Sequence, residues 1–368
     1  MISVVIHYII PVSLIFGLVI FVHELGHFLA AKRVGVRVEK FSLGFGPRII
    51  GFKKGDTEYL ISAIPLGGYL KMAGEEAGND SKGEEGEFLS KSIGQRAFVA
   101  VSGVTMHYFF GFLILSLVFF LGNPTSTSRV GGVMKGMPAA KAGLKPGDKI
   151  IGIEGKSISL WKEMAGIIHK SYGKKLHFLI ERKGKNFELT IVPVKREEKN
   201  VLNERMKVGL IGITPSRDTV PVRYGLLKSF SAGGKETLFI TTMTYKVIWK
   251  MLQRRISPDS LTGPVGIIYM TGEVARLGLA TILQWIGLLS VALAIFNILP
   301  IPILDGGHLL FLGIEKIKGK PLPLKKREGI EQITFMLLLG LILFVSYNDV
   351  ERFKLVNKVS GLWKQFSR

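Results

Sequence analysis

The chain contains no cysteine, which excludes disulfides and thiolate metal sites and leaves His, Asp and Glu as the only ligands for any bound metal. Acidic residues are also scarce: 28 Asp and Glu stand against 49 Lys and Arg, a formal charge of +21. In a water-soluble chain that excess would point to nucleic acid. Here no zinc knuckle, aromatic RNA-binding signature or arginine-rich tail accompanies it. The basic residues lie beside apolar runs, where anionic lipid headgroups attract them. The expected partner is therefore a lipid bilayer, with no nucleic acid. No Lys or Arg precedes Lys32, although the first apolar run begins at Ile2. A cleaved signal peptide has the opposite order, so this run reads as a retained span. No internal repeat is present.

Apolar sequence is plentiful. The chain is 47% hydrophobic and 21% charged, with a mean hydropathy of +0.33. Four runs suit bilayer crossing, which needs about 20 residues: 2–31, 97–121, 279–299 and the shortest, 333–346. The expected fold class is a polytopic α-helical membrane protein with about four transmembrane helices, a membrane-associated β-hairpin region and an inserted soluble domain. FSLGFGPRII and GFKKGDTEYLISAIPLGGYLKM alternate β-type residues with turns and read as one or two hairpins. The acidic, Gly-rich EEAGNDSKGEEGE reads as a surface loop. Residues 127–196 read as the soluble domain, with a helix over SLWKEMAGIIHKSY and a hairpin turning at Lys183-Gly184-Lys185. KVGLIGITPS offers one more strand. Residues 222–252 carry Lys228, Lys235, Lys246 and Lys250 on an apolar background and suit an amphipathic helix on the membrane surface, with a fifth span as the alternative. The chain thus divides into a first membrane part (1–122), the soluble domain (127–196), a strand-and-helix linker (197–278), a second membrane part (279–349) and a basic tail (350–368).

Lys316, Lys318, Lys320, Lys325, Lys326 and Arg327 between the last two runs predict a cytoplasmic loop. Four spans then put both termini and the soluble domain outside the cytoplasm. The basic tail, with Arg352, Lys354, Lys358, Lys364 and Arg368, counts against that orientation.

HELGH at 23–27 carries the chemistry. On a helix, positions i and i+4 share a face about 6 Å apart along the axis. His23 and His27 can therefore hold one Zn²⁺, with Glu24 in reach of its water as general base. Ionisable side chains inside an apolar span are costly and functional by default. The bland alternative, polar residues hydrogen-bonded within a bundle, accommodates one His but does not account for this pattern. A catalytic zinc needs a third protein ligand and an open position. Asp305, in NILPIPILDGG at 297–307, is the candidate. The first and third spans run in the same direction, so the ends that carry His23, His27 and Asp305 lie at one membrane face. Pro300, Pro302 and Gly306-Gly307 predict a broken, loosened backbone there, tolerated at membrane depth where it lines a wet cavity. Asp305 as a helix N-cap is the alternative. His308 reads as a supporting or interfacial residue, and Asn297 is placed to hydrogen-bond an extended peptide.

With these motifs the chain resembles the site-2 proteases, specifically the bacterial RseP/RasP-type membrane zinc metalloproteases with a PDZ domain. HELGH matches the zinc and base motif, and NILPIPILDGG the motif of the third ligand, Asp305, and of a substrate-contacting Asn, here Asn297. GFGP and IPLGGYLKM resemble the membrane-associated hairpin, and LTGPVGI the stretch before the third span. VGGV followed by PAAKAGLKPGDKIIGIEGK resembles a single PDZ domain. The resemblance implies an intramembrane zinc endopeptidase of the bacterial inner membrane, acting in regulated intramembrane proteolysis. Its substrates would be single-pass membrane proteins, such as anti-sigma-factor-like proteins or signal-peptide remnants. It also implies that Gly131, Gly132 and Val133 bind a C-terminal peptide, or that the domain excludes bulky substrates; a docking module with no ligand is the alternative. The family pattern of Gly-Pro then Asn in the second span is replaced by Gly103-Val104-Thr105-Met106-His107, which leaves the role of that Asn open. The competing classes are a non-catalytic membrane PDZ scaffold and a metal transporter. A scaffold has no need to keep His23, Glu24, His27 and Asp305 together. A transporter would line several spans with ionisable residues.

Overall fold

The computed structural model describes residues 8–75, 83–200, 202 and 204–354. Most of the acidic loop (76–82), the start of the first run (1–7) and most of the basic tail (355–368) lie outside the described residues. The chain forms two compact units: Met1–Val118 with Leu227–Tyr245 and Ser257–Arg368, and Phe119–Leu226 with Lys246–Ile256.

Helix α1 (Ile10–Arg33) opens with a proline in its first turn and closes on Lys32 and Arg33, cations that suit a helix C-terminus. Strands β1 (Val38–Lys54) and β2 (Thr57–Met72) then form one long antiparallel hairpin. It turns at Gly55-Asp56, with Gly55 at φ 61°. Its register slips around Gly44, whose φ of 92° is a left-handed conformation that glycine adopts without strain. Helix α2 (Ile93–Leu121) follows.

The second unit holds β3 (Asn123–Ser126), β4 (Val130–Val133), the short α3 (Pro138–Lys141), β5 (Lys149–Ile153), β6 (Lys156–Ser157), α4 (Trp161–Lys170), β7 (Leu176–Arg182), β8 (Lys185–Ile191), β9 (Val194–Lys199), β10 (Arg205–Leu210), β11 (Ile213–Pro215) and β12 (Thr219–Val222). Its largest sheet has the order β6-β5-β7-β8, and smaller antiparallel pairs join β4 to β11, β9 to β10 and β3 to β12. Ile150, Ile153, Met164, Phe178, Ile180 and Ile191 are sealed in its core. This unit extends beyond the 127–196 read from sequence. The β7–β8 turn has local signals, Lys183 and Gly184 both at positive φ. The pairing of Ile213 with Val133 joins residues far apart in sequence, which no local pattern announces. KVGLIGITPS supplies parts of two strands, β10 and β11, where one was expected.

Helices α5 (Leu226–Leu252), α6 (Pro264–Val274), α7 (Leu279–Asn297), α8 (Asp305–Lys318) and α9 (Leu324–Arg352) follow among the described residues. Among the described residues four helices, α1, α2, α7 and α9, are long and apolar enough to cross a membrane. Helix α9 starts well before the apolar run at 333–346. Lipid tails are as apolar as Leu, so close packing rather than water exclusion must hold such helices together. Glycines provide it: a Cβ on Gly111 would stand 2.7 Å from Val291 of α7, and one on Gly287 would stand 2.8 Å from Leu115 of α2. Ile15, Val19, Ile286 and Leu289 form a buried cluster between α1 and α7.

Candidate metal centre

His23 and His27 lie one turn apart on α1, and Asp305 is the first residue of α8. Their ligand atoms all fall within 4.8 Å of one another. His23 Nε2 is 3.3 Å from Asp305 Oδ2, and His27 Nε2 is 3.5 Å from Oδ1. The two Nε2 atoms are 3.1 Å apart. Sequence reasoning placed these residues at one membrane face, and the fold brings them together.

The surrounding helices set this geometry. The Nδ1 of His27 lies 2.8 Å from the Val99 carbonyl oxygen on α2. A carbonyl only accepts, so the His27 proton sits on Nδ1 and its Nε2 faces inward as a bare lone pair. Gly103, one turn after Val99, lets α2 approach the site. A Cβ there would collide with His27 Nε2 and stand 2.8 Å from His23 Cε1. A further turn along the same stripe is His107, 1% exposed, its ring tilted 32° to that of His23 at 4.9 Å. Val99, Gly103 and His107 recur every four residues, a signal the sequence carried. His107 is not one of the three converging ligands.

Asp305 is delivered by a folded-back segment. Ile301 N donates to Leu299 O (2.7 Å), and Leu304 N donates to Ile301 O (2.9 Å). Gly306 and Gly307 were expected to loosen the chain. They do the reverse: both lie inside α8, pressed onto the carbonyls of Ile298, Leu299 and Ile301 where a Cβ would clash. Leu304, not Asp305, is the N-cap, so Asp305 is not spent on capping its helix.

A donor count tests whether this set fits a cation. The His27 proton is committed to Val99. His23 has one proton when neutral, and it faces three inward acceptors: His27 Nε2 and both oxygens of Asp305. His23 Nδ1 and Asp305 Oδ2 are buried without a hydrogen-bond partner. Such an electron-rich, proton-poor cluster fits a divalent cation, and the Nδ1–Val99 bond is the outer support that metal-binding imidazoles usually have. A cavity of about 190 Å³ opens beside it, lined by His23, Glu24, His27, Asp305, Leu70, Glu75 and His308 among others. Glu24 borders β2: a Cβ on Gly68 would stand 3.7 Å from Glu24 Cγ. Leu70 and Glu75 reach the lining only through the return of β2, which no local sequence pattern announces.

A model of peptidase family M50 matches residues 11–341. The chain belongs to that family, the site-2 proteases. It is a site-2-type metalloprotease. The chain is 33% identical to a protein of Agrobacterium fabrum named as a zinc metalloprotease, over 93% of this chain and 95% of that one. It is 32% identical to zinc metalloprotease RasP of Geobacillus kaustophilus (94% and 98% covered) and 32% identical to metalloprotease MmpA of Caulobacter vibrioides (96% and 98% covered). Among solved structures it is similar to the PDZ domain of an SdrC-like protein from Listeria innocua, at 25% identity and a TM-score of 0.21, covering 25% of this chain and 96% of that one.

Not every sequence-predicted site residue in this M50 chain meets the metal centre. Asn297 ends α7, half-buried, and does not line the cavity. Gly131, Gly132 and Val133 lie on β4 in the second unit, where Val133 pairs with Ile213 and Gly132 with Thr214.

Proposed function

We propose that this M50 protease is an intramembrane zinc endopeptidase that cuts single-pass membrane proteins within or beside their spanning segment. His23, His27 and Asp305 hold the metal. The observation that carries this reading is the convergence of the bare His27 Nε2, His23 and the unpartnered Asp305 oxygen on one cavity. The donor chemistry fits zinc, which takes nitrogen and carboxylate ligands and keeps one position open in catalytic sites. When bound, zinc supplies a Lewis acid that acidifies a water and polarises the scissile carbonyl. Glu24 takes the proton of the attacking water and passes it to the leaving amine.

A helical substrate hides its amides in its own hydrogen bonds and must unwind first. The edge of the β1–β2 hairpin offers the unwound backbone a strand to pair with. The nearness of Gly68 to Glu24 supports this, because a strand added there would run beside the base. Asn297, outside the cavity lining, would hydrogen-bond a further part of the extended chain. The basic residues 316–327 support a site near the cytoplasmic face of the bacterial inner membrane. The second unit is then an extracytoplasmic PDZ domain that takes a C-terminal peptide at Gly131-Gly132-Val133 or excludes bulky substrates. Anti-sigma-factor-like proteins and signal-peptide remnants have the required single span.

The test is cleavage of a fluorogenic single-span peptide by the full chain in liposomes, with the cut located by mass spectrometry. The reading expects a cut in or beside the span, and a loss of at least about a hundredfold in Glu24→Gln with its zinc retained. Equal cleavage by Glu24→Gln would overturn it.

A further inference from the structure

Two cavities share one imidazole. His308 lines the catalytic cavity, and it also lines a second cavity of about 260 Å³ with Arg96, Phe311, Glu315 and Arg327. Arg327 Nη2 lies 3.2 Å from His308 Nδ1. A guanidinium only donates, so Nδ1 must be the bare acceptor and the ring proton must sit on Nε2. Three contacts hold that guanidinium in place: His308, the Glu331 carboxylate at 2.8 Å and the Phe311 ring, whose centroid is 5.5 Å away. Among the described residues the His308 side chain hydrogen-bonds through Nδ1 alone. Burial and the neighbouring Arg327 charge hold His308 below the ordinary histidine range, although the Asp305 and Glu331 carboxylates pull the other way.

The other side chains of the cavity lining offer few donors. Glu24, Glu75 and Asp305 are carboxylates, His23 and His27 belong to the metal set, and Leu70, Met72, Phe88, Val99 and Ala100 have no polar side chain. An unwound substrate enters with carbonyl oxygens that have lost their helical partners, and each needs a donor. We propose that His308 is a catalytic residue that donates a hydrogen bond from Nε2 to the scissile carbonyl oxygen as negative charge develops on it in the transition state, and that Arg327 is the positioning residue that fixes its tautomer. The proposal rests on the peptidase reading of the cavity.

The experiment uses the full chain and the fluorogenic single-span peptide in liposomes, and measures kcat, KM and zinc content for five proteins. His308→Gln keeps an amide donor near the ε position. His308→Asn reaches only the δ position, where it still offers Arg327 an acceptor. Arg327→Lys keeps a donor to Nδ1, and Arg327→Met removes it. The expected result is a kcat for His308→Asn lowered about a hundredfold, the usual cost of one transition-state donor. KM and zinc content stay near wild type, and His308→Gln recovers most of the loss. Arg327→Met loses about tenfold as the other tautomer competes, and Arg327→Lys loses less. Wild-type kcat in His308→Asn would overturn the proposal. So would equal losses in His308→Gln and His308→Asn accompanied by loss of zinc, which would make the ring a structural support. A wild type with neither zinc nor cleavage overturns the peptidase reading and this proposal with it. Nitrogen-15 NMR of the histidine-labelled wild type needs no variant to fold: the proposal requires the Nε2–H tautomer at His308, and the Nδ1–H tautomer contradicts it.

Discussion

His27 and Val99 are joined by a 2.8 Å contact between an imidazole Nδ1 and a backbone carbonyl on the neighbouring helix. The bond decides which nitrogen of His27 faces Asp305, and it exists because α2 can approach α1 at Gly103. Gly103→Ala is expected to abolish metal binding while α2 stays helical, since Ala is the better helix former by about 1 kcal/mol. Zinc content and circular dichroism of the purified variant check this. Full zinc occupancy in Gly103→Ala would show that the helices tolerate the added methyl.

Gly306→Ala is expected to lose zinc for a different reason. The added Cβ would meet the carbonyls of Ile298 and Leu299 and push the start of α8, with Asp305, away from the histidines. Metal affinity measured by chelator competition should fall at least tenfold. A variant matching the wild type would mean that the turn after α7 has room to yield.

The Arg96 and Glu315 side chains form a two-point ion pair between α2 and α8, at 3.1 and 2.5 Å, and both are largely buried (9% and 14% exposed). Removing one partner strands the other charge, which costs about 3–5 kcal/mol in such settings. Arg96→Met and Glu315→Gln are each expected to lower the unfolding midpoint in detergent sharply. The double variant should lose much less than the sum of the two. Additive losses would show that the charges act independently.

Much of the site was legible in the sequence because its signals are local. HELGH puts two imidazoles on one helix face, and the count of spans puts Asp305 at the same end. The supports were not legible. Val99 contributes a main-chain carbonyl, which no side chain advertises, and Leu70 reaches the cavity only through the register of β2. Gly306-Gly307 was open to two readings, since glycine serves loose backbone and tight contact alike, and only the neighbouring carbonyls decide. In the second unit the β7–β8 hairpin was legible from its Lys-Gly turn. The closing β4–β11 pair was not, since it joins residues about 80 positions apart in a pattern too short to read.

The second unit carries a pH dependence of its own. Burial pushes the Asp148 carboxyl up, but hydrogen bonds from the Arg182 guanidinium and the Lys145 amide outweigh it and hold Asp148 below the usual carboxylate range. A lowered value in the folded state stabilises the fold above the ordinary carboxylate pKa of about 3.9, and that stability is lost as pH falls through the lowered value. Asp148→Asn is therefore expected to reduce hydrogen-exchange protection of β5 and β7 at pH 7. The gap from wild type should shrink as pH drops below about 4. A gap unchanged by pH would assign the effect to shape rather than charge.

Zinc per chain in the gently purified wild type, Asp305→Ala and Glu24→Gln decides whether His23, His27 and Asp305 form one metal centre. One zinc in the wild type and in Glu24→Gln, with a clear loss in Asp305→Ala, is the result the account predicts. It would join α1 and α8 in one metal centre and separate the base from the ligands. A wild type that holds no zinc when zinc is supplied, or an Asp305→Ala that holds it as well as the wild type, would contradict the account.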